Sequence, residues 1–305
     1  MSFETIRHAL LGALAAITVF FIVAWTVVLR RSRQEGDRDV RPPTLLETAI
    51  GAVTDFFDTL GIGCFAPTTS IFKLKKLVPD ENIPGTLNVG HALPTLTEAL
   101  IFIAIVEVEP VTLLSMIGSA ILGSWLGAGV VARWPRRKVQ VGMGIALLVA
   151  ALLFIAKNVG LMPGDEGTLS LNGGLFWMGI AGNFALGALM TLGIGLYAPC
   201  MLLVAFLGMS PKAAFPIMMG SCAFLMPIAS LRFMKAKRYS PGPALGLTLG
   251  GIPGVLIAAY IVKELAVSTI RWGVVGIVLY TAVMMLRSAM SEKSRAAAAP
   301  ELATP

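Results

Sequence analysis

The sequence predicts an all-α polytopic membrane protein made of two inverted repeats, each a broken re-entrant helical hairpin followed by three transmembrane helices, with one extra N-terminal helix. Three observations predict it. Of 305 residues, 56% are hydrophobic and 13% charged, and the mean hydropathy is +0.81, more apolar than the surface of a soluble domain allows. Thr59 and Thr191, Pro84 and Pro216, Gly118 and Gly250, and Gly144 and Gly276 all recur at one spacing of 132 residues, the mark of a duplicated unit. Finally, the basic residues fall on one face only if each long apolar run enters and leaves the bilayer on the same side.

The elements follow in chain order. Residues 9 to 29 carry no charge and have the length of one membrane span, closed by Arg30, Arg31 and Arg33. The run is too long for a cleaved leader and lacks its small-residue site, so 1–44 is expected to be one helix and a basic cytoplasmic linker. Unit one covers 45–157 and unit two 175–290, joined by an extracytoplasmic linker, 158–174. An Ala/Pro-rich tail, 291–305, is expected to be disordered. Each unit opens on a long run, 45–77 or 175–207, that as a straight helix would reach about 50 Å, beyond a hydrocarbon core of about 30 Å. Three ordinary spans follow, near 85–106, 111–132 and 139–157, then near 216–234, 243–262 and 270–288. With both long runs folded back, 19 of the 24 lysines and arginines share the cytoplasmic side, leaving Arg7, Lys157, Lys212, Lys263 and Arg271 outside. A hairpin plus three crossings ends on the opposite face, so the repeats are inverted, the N-terminus lies outside and the C-terminus is cytoplasmic.

The breaks carry a repeated motif, TLGIGCFAP at 59–67 and TLGIGLYAP at 191–199. Glycines interrupt the helix and proline suits the first turn of the restart, where its missing N–H costs nothing. Ala66 and Ala198 are the expected N-caps. Without a side-chain oxygen, they leave the N-terminal N–H groups and the positive dipole end to a ligand. Irregular backbone survives in a bilayer only where protein buries it or it lines a wet cavity, so two tips at mid-depth imply a shared chamber, the layout of secondary transporters. Two helix N-termini facing one chamber favour an anion.

The candidate substrate-binding residues in unit one are Thr59, Gly61, Gly63, Cys64, Ala66, Pro67, Thr68, Thr69 and Asn88. In unit two they are Thr191, Gly193, Gly195, Tyr197, Ala198, Pro199, Cys200 and Ser221. Asn88, His91, Thr95 and Glu98 fall within about 80° on one helix face. Asp55, Asp58, His91 and Glu98 are candidates for proton coupling, because buried carboxylates in transport proteins commonly carry protons. They belong to unit one alone: Gly187 and Met190 stand where Asp55 and Asp58 would repeat.

Cys64, Cys200 and Cys222 lie in apolar segments without disulfide or zinc spacing, so no metal and no cofactor is expected. The pI of about 9.5 reflects basic loops rather than a nucleic-acid partner. The partners expected are a small anion, the lipid bilayer and protons, and the oligomeric state is not encoded. The motifs GIGCFAP and GIGLYAP in a duplicated membrane unit resemble the TauE/SafE family of sulfite and organosulfonate exporters, over roughly residues 45 to 290. That resemblance implies export of a small sulfur-containing anion, sulfite or an organosulfonate such as sulfoacetate, across a bacterial inner membrane. An anion channel shares the dipole logic and is the alternative. An intramembrane enzyme using Asp55 and Asp58 or Cys64 is a weaker one, since no catalytic motif accompanies them.

Overall fold

The computed structural model describes residues 3–35, 40–131, 136–159, 167–190, 195–264 and 267–298. They form α1 (Phe3–Gln34), α2 (Leu45–Thr59), α3 (Phe65–Lys75), α4 (Ile83–Ile105), α5 (Pro110–Val131), α6 (Arg136–Asn158), α7 (Gly173–Met190), α8 (Tyr197–Phe206), α9 (Ala214–Lys235), α10 (Pro241–Glu264) and α11 (Val267–Ala298). A 3-10 turn, Pro211–Ala213, precedes α9. The described residues hold no strand, only an isolated bridge between Thr168 and Met209. Among the described residues, five helices, α1, α4, α7, α9 and α10, are long and apolar enough to cross a membrane.

The order of elements follows the sequence expectation, with two corrections. The second arms start at Phe65 and Tyr197, so the N-caps are Cys64 and Leu196, not Ala66 and Ala198. Each proline then sits third in its helix, which costs no hydrogen bond because the first turn has no partners for its N–H groups. The second correction lies at the C-terminus, where α11 continues to Ala298, past Ser291. Ala, Glu, Lys and Arg in that stretch are strong helix formers. Residues 299–305 lie outside the described ones.

The repeat is visible in local geometry and in packing. Lys76, at the end of α3, and Gly208, its equivalent after α8, both adopt left-handed backbone, with φ of 52° and 75°. Helix α2 packs on α10 while its equivalent α7 packs on α5, the equivalent of α10. Helix α4 packs on its own counterpart α9, and α6 on α11. Helices at equivalent sequence positions thus exchange packing partners. Phe102 of α4 stacks on Phe215 of α9, centroids 5.1 Å apart. These two helices form the centre and are largely buried, whereas α1 is mostly exposed. Helix α1 lies on α4, α9 and α5.

Loops gather at two ends. Lys237, between α9 and α10, pairs with Glu35 after α1 at 2.8 Å, and Arg238 with Glu81 ahead of α4 at 3.6 Å. The Lys237 hydrogen bond, with Arg31 beside it, holds the exposed Glu35 carboxyl below its usual range. Ahead of α2, Arg41 grips Glu47 through a bidentate pair, and Glu47 closes a capping box with Thr44. Arg41 also borders Gly242 at the start of α10. Elsewhere, Glu109 N donates to Leu169 O at 2.9 Å, and Thr168 N to Gly208 O at 3.0 Å. The segment after residue 167 thus joins the α4–α5 loop and the loop following α8.

Close approaches hold the paired helices. A Cβ at Gly250 would strike the Thr48 carbonyl of α2, and one at Gly123 the Phe184 carbonyl of α7. With no hydrophobic drive between helices in lipid, this contact supplies the association. Proline shapes the centre: Pro94 lacks the N–H that would reach Gly90 O, and Thr248 of α10 donates to that carbonyl instead at 2.6 Å. We predict that Gly250→Val forces α2 and α10 apart, costing about 3 kcal/mol or more. The check is the melting temperature in detergent, against Gly276→Ala, whose new Cβ would meet nothing within 4 Å.

Candidate functional site

The first break, between α2 and α3, runs through Gly61 and Gly63 at φ of 96° and 90°, a conformation open to glycine and strained for other residues. Its approach to unit two is close: a Cβ on Gly61 would lie 2.7 Å from Met201 Sδ of α8. In the second break, residues 191 to 194, with the candidates Thr191 and Gly193, lie outside the described ones. Gly195 is exposed and, unlike Gly63, has no positive φ.

Glu98 joins the two breaks. Thr59, the last residue of α2, donates to Oε1 at 2.7 Å, and Tyr197, the first of α8, donates to Oε2 at 2.7 Å. Thr59 Oγ1 also lies 2.9 Å from the Asp55 carbonyl. One hydroxyl proton serves one acceptor, so both contacts are filled together when Glu98 carries a proton and donates.

Two helix turns earlier on α4, His91 Nδ1 meets the Asp55 carboxylate of α2 at 2.8 and 3.0 Å, and Nε2 faces Thr68 Oγ1 of α3 at 3.2 Å. With the proton on Nδ1 donating to Asp55, Nε2 accepts from Thr68. The side chains of Asp55, Asp58, Thr59, Thr68, His91 and Glu98 are all buried. No Lys or Arg is buried among the described residues. Three carboxylates and one imidazole therefore set their net charge by the protons they hold.

Asp58 alters what the first tip can offer. Its Oδ1 accepts from the Cys64 N–H at 2.8 Å, so the donor ahead of α3 is filled from within the chain. Met190 occupies the equivalent position in unit two, and Leu196 makes no side-chain cap. The two tips are chemically unequal. Ligand atoms of Asp55, Cys64 and His91 lie within 4.8 Å of one another, a spacing a metal ion could bridge. Both imidazole nitrogens already face protein partners, so the geometry present is a hydrogen-bonded chain.

Other sequence candidates sit at varied distances from this network. Asn88 donates to its own helix at Pro84 O, 2.8 Å, and joins none of these bonds. Ala198, Pro199 and Cys200 are buried in the first turn of α8. Pro67 and Thr69 are half-buried, and Ala66 is exposed. Ser221 belongs to a second polar cluster: Asn183 Nδ2 donates to Met116 O at 2.7 Å and to Ser221 Oγ at 3.2 Å. The sequence reasoning missed Asn183, although an asparagine inside the otherwise apolar α7 was the available signal.

A cycle of Tyr197→Phe and Glu98→Leu tests the bridge between breaks. We predict a coupling of about 0.5–3 kcal/mol in unfolding free energy, whereas additive effects would show that the two side chains do not touch.

The family model described as Sulfite exporter TauE/SafE matches residues 2–154. No curated protein matches the chain. No solved structure matches it either.

Proposed function

The chain belongs to the sulfite exporter TauE/SafE family, and from that premise we propose that it exports a small sulfur-containing oxyanion by alternating access. Sulfite and organosulfonates such as sulfoacetate are the substrates this reading favours, and the bacterial inner membrane is the setting. The observation that carries it is the meeting of two interrupted helices at one buried carboxylate, Glu98. Interrupted helices near the centre of a duplicated bundle form substrate sites in secondary transporters.

In this reading the units 45–157 and 175–290 are inverted, and each opening pair of helices is a re-entrant hairpin. Support comes from the first pair: Arg41 ahead of α2 borders Gly242, and Glu81 beyond α3 pairs with Arg238, so both ends of the hairpin flank one loop. That loop and the end of α1 are basic, which supports a cytoplasmic location for them, with the N-terminus outside and the C-terminus inside.

The anion rests between the tips. The backbone and hydroxyl groups of Thr59, Gly61, Gly63, Cys64, Thr68, Thr69 and Tyr197 surround it, together with those of Gly195, Ala198 and Cys200. The uncapped start of α8 carries the stronger claim, because Asp58 already fills the donor ahead of α3. Asp55, Asp58, His91 and Glu98 carry the coupling proton, since no Lys or Arg is buried among the described side chains and protonation offsets the charge that anion and carboxylates bring together. Expelling one negative charge at 100 mV, inside negative, yields about 2.3 kcal/mol, so potential alone favours export.

The test is efflux of sulfite or sulfoacetate from proteoliposomes. An imposed pH gradient is expected to change the initial rate, and Glu98→Gln to flatten that response. A rate indifferent to the gradient in the unaltered protein would remove coupling from the carboxylates. Saturable flux with counterflow exchange is expected of a carrier, and linear flux would indicate a channel.

A further inference from the structure

Among the described residues Thr95 is the one fully buried threonine whose hydroxyl has no partner; Thr281 Oγ1, on a half-buried residue of α11, is the other unpartnered threonine hydroxyl. Thr54, Thr59, Thr68, Thr86, Thr112 and Thr248 each place the hydroxyl against a protein partner. Thr95 is 1% exposed and its Oγ1 has no partner among the described residues. A threonine inside a helix ordinarily returns its proton to the carbonyl four residues back, as Thr97 does to Leu93 at 2.9 Å. An unfilled buried hydroxyl is costly, and such an atom calls for an explanation.

Its position supplies one. Thr95 follows His91 by one helical turn and precedes Glu98 by three residues, so all three share a face of α4. His91 reaches Thr68 of α3, and Glu98 reaches Tyr197 of α8. Thr95 therefore lies between the side chains that engage the two restarted helices. The neighbouring carboxylates already receive Cys64 N–H, Thr59 and Tyr197, which leaves the Thr95 O–H as a spare donor on this face. A donor suits an oxyanion oxygen. The duplicated fold does not impose the hydroxyl, because Pro227 stands at the equivalent position of unit two.

We infer that Thr95 is a substrate contact, donating its hydroxyl proton to an oxygen of the sulfur oxyanion bound between the tips. This rests on the transporter function proposed above and adds to it a residue that selects for oxygen-bearing anions.

The experiment uses the full chain in detergent, titrated calorimetrically with sulfite and with sulfoacetate. Thr95→Val, which keeps shape and removes the hydroxyl, should weaken binding about 10-fold or more, while Thr95→Ser should stay within about threefold of the unaltered protein. Without anion, Thr95→Val should melt at the same temperature or higher, because it deletes an unfilled polar atom; a merely structural hydroxyl would lower it. Should the valine variant fail to fold, Thr95→Ala carries the same comparison. Equal affinity in the hydroxyl-less variant and the unaltered protein would overturn this contact alone. If the unaltered protein binds neither anion, the oxyanion reading falls and the contact falls with it.

Discussion

A helix interrupted inside an apolar bundle must find new partners for the N–H and C=O groups it frees, and the centre of this protein is organised around that requirement. At the first break, Gly61 N donates to Asp58 O at 2.7 Å, Ile62 N to Phe57 O at 3.1 Å, and Cys64 N to the Asp58 side chain at 2.8 Å. Asp58 thus serves the interruption twice, through backbone and through carboxylate. Once a carboxylate is buried for that purpose, others nearby need donors, and His91, Thr59 and Tyr197 supply them to Asp55 and Glu98. The polar network of the site grows out of the backbone geometry of the break.

The duplication in the sequence leaves the two halves unlike in chemistry. Equivalent helices exchange packing partners, yet Asp55, Asp58, His91 and Glu98 correspond to Gly187, Met190, Ala223 and Ser230. One half keeps titratable groups, and the other contributes the Tyr197 hydroxyl at the start of α8. Glu98 is where the two halves meet, which gives a duplicated sequence a one-sided charge site.

Much of this architecture was legible beforehand. The runs of apolar residues and the breaks between them indicated where the helices lie, because helix length and helix breaking are set largely by local composition. The α4 face bearing His91 and Glu98 was legible as well, since helical periodicity alone places those residues together. The cap positions were not: whether a helix restarts at Phe65 or two residues later depends on tertiary contacts that a motif does not contain. The Tyr197–Glu98 bond joins residues 99 positions apart, and the Thr68–His91 contact joins two helices of one unit. Neither follows from periodicity, because which hydroxyl meets which carboxylate is decided by how the tips cross. Asn183 escaped notice because a single amide scarcely changes the hydropathy of an apolar span.

The bond that Thr248 makes to Gly90 ties α4's weakest point to a neighbour. Bending α4 at Pro94 while keeping that bond drags α10 along, and α10 is locked to α2 by glycine-to-backbone contact. Bending without it strands a bare carbonyl in a dry interior, an outcome disfavoured enough to behave as a latch. As long as that bond holds, a change in the tilt of α4 about Pro94 is transmitted to α10 and through it to α2.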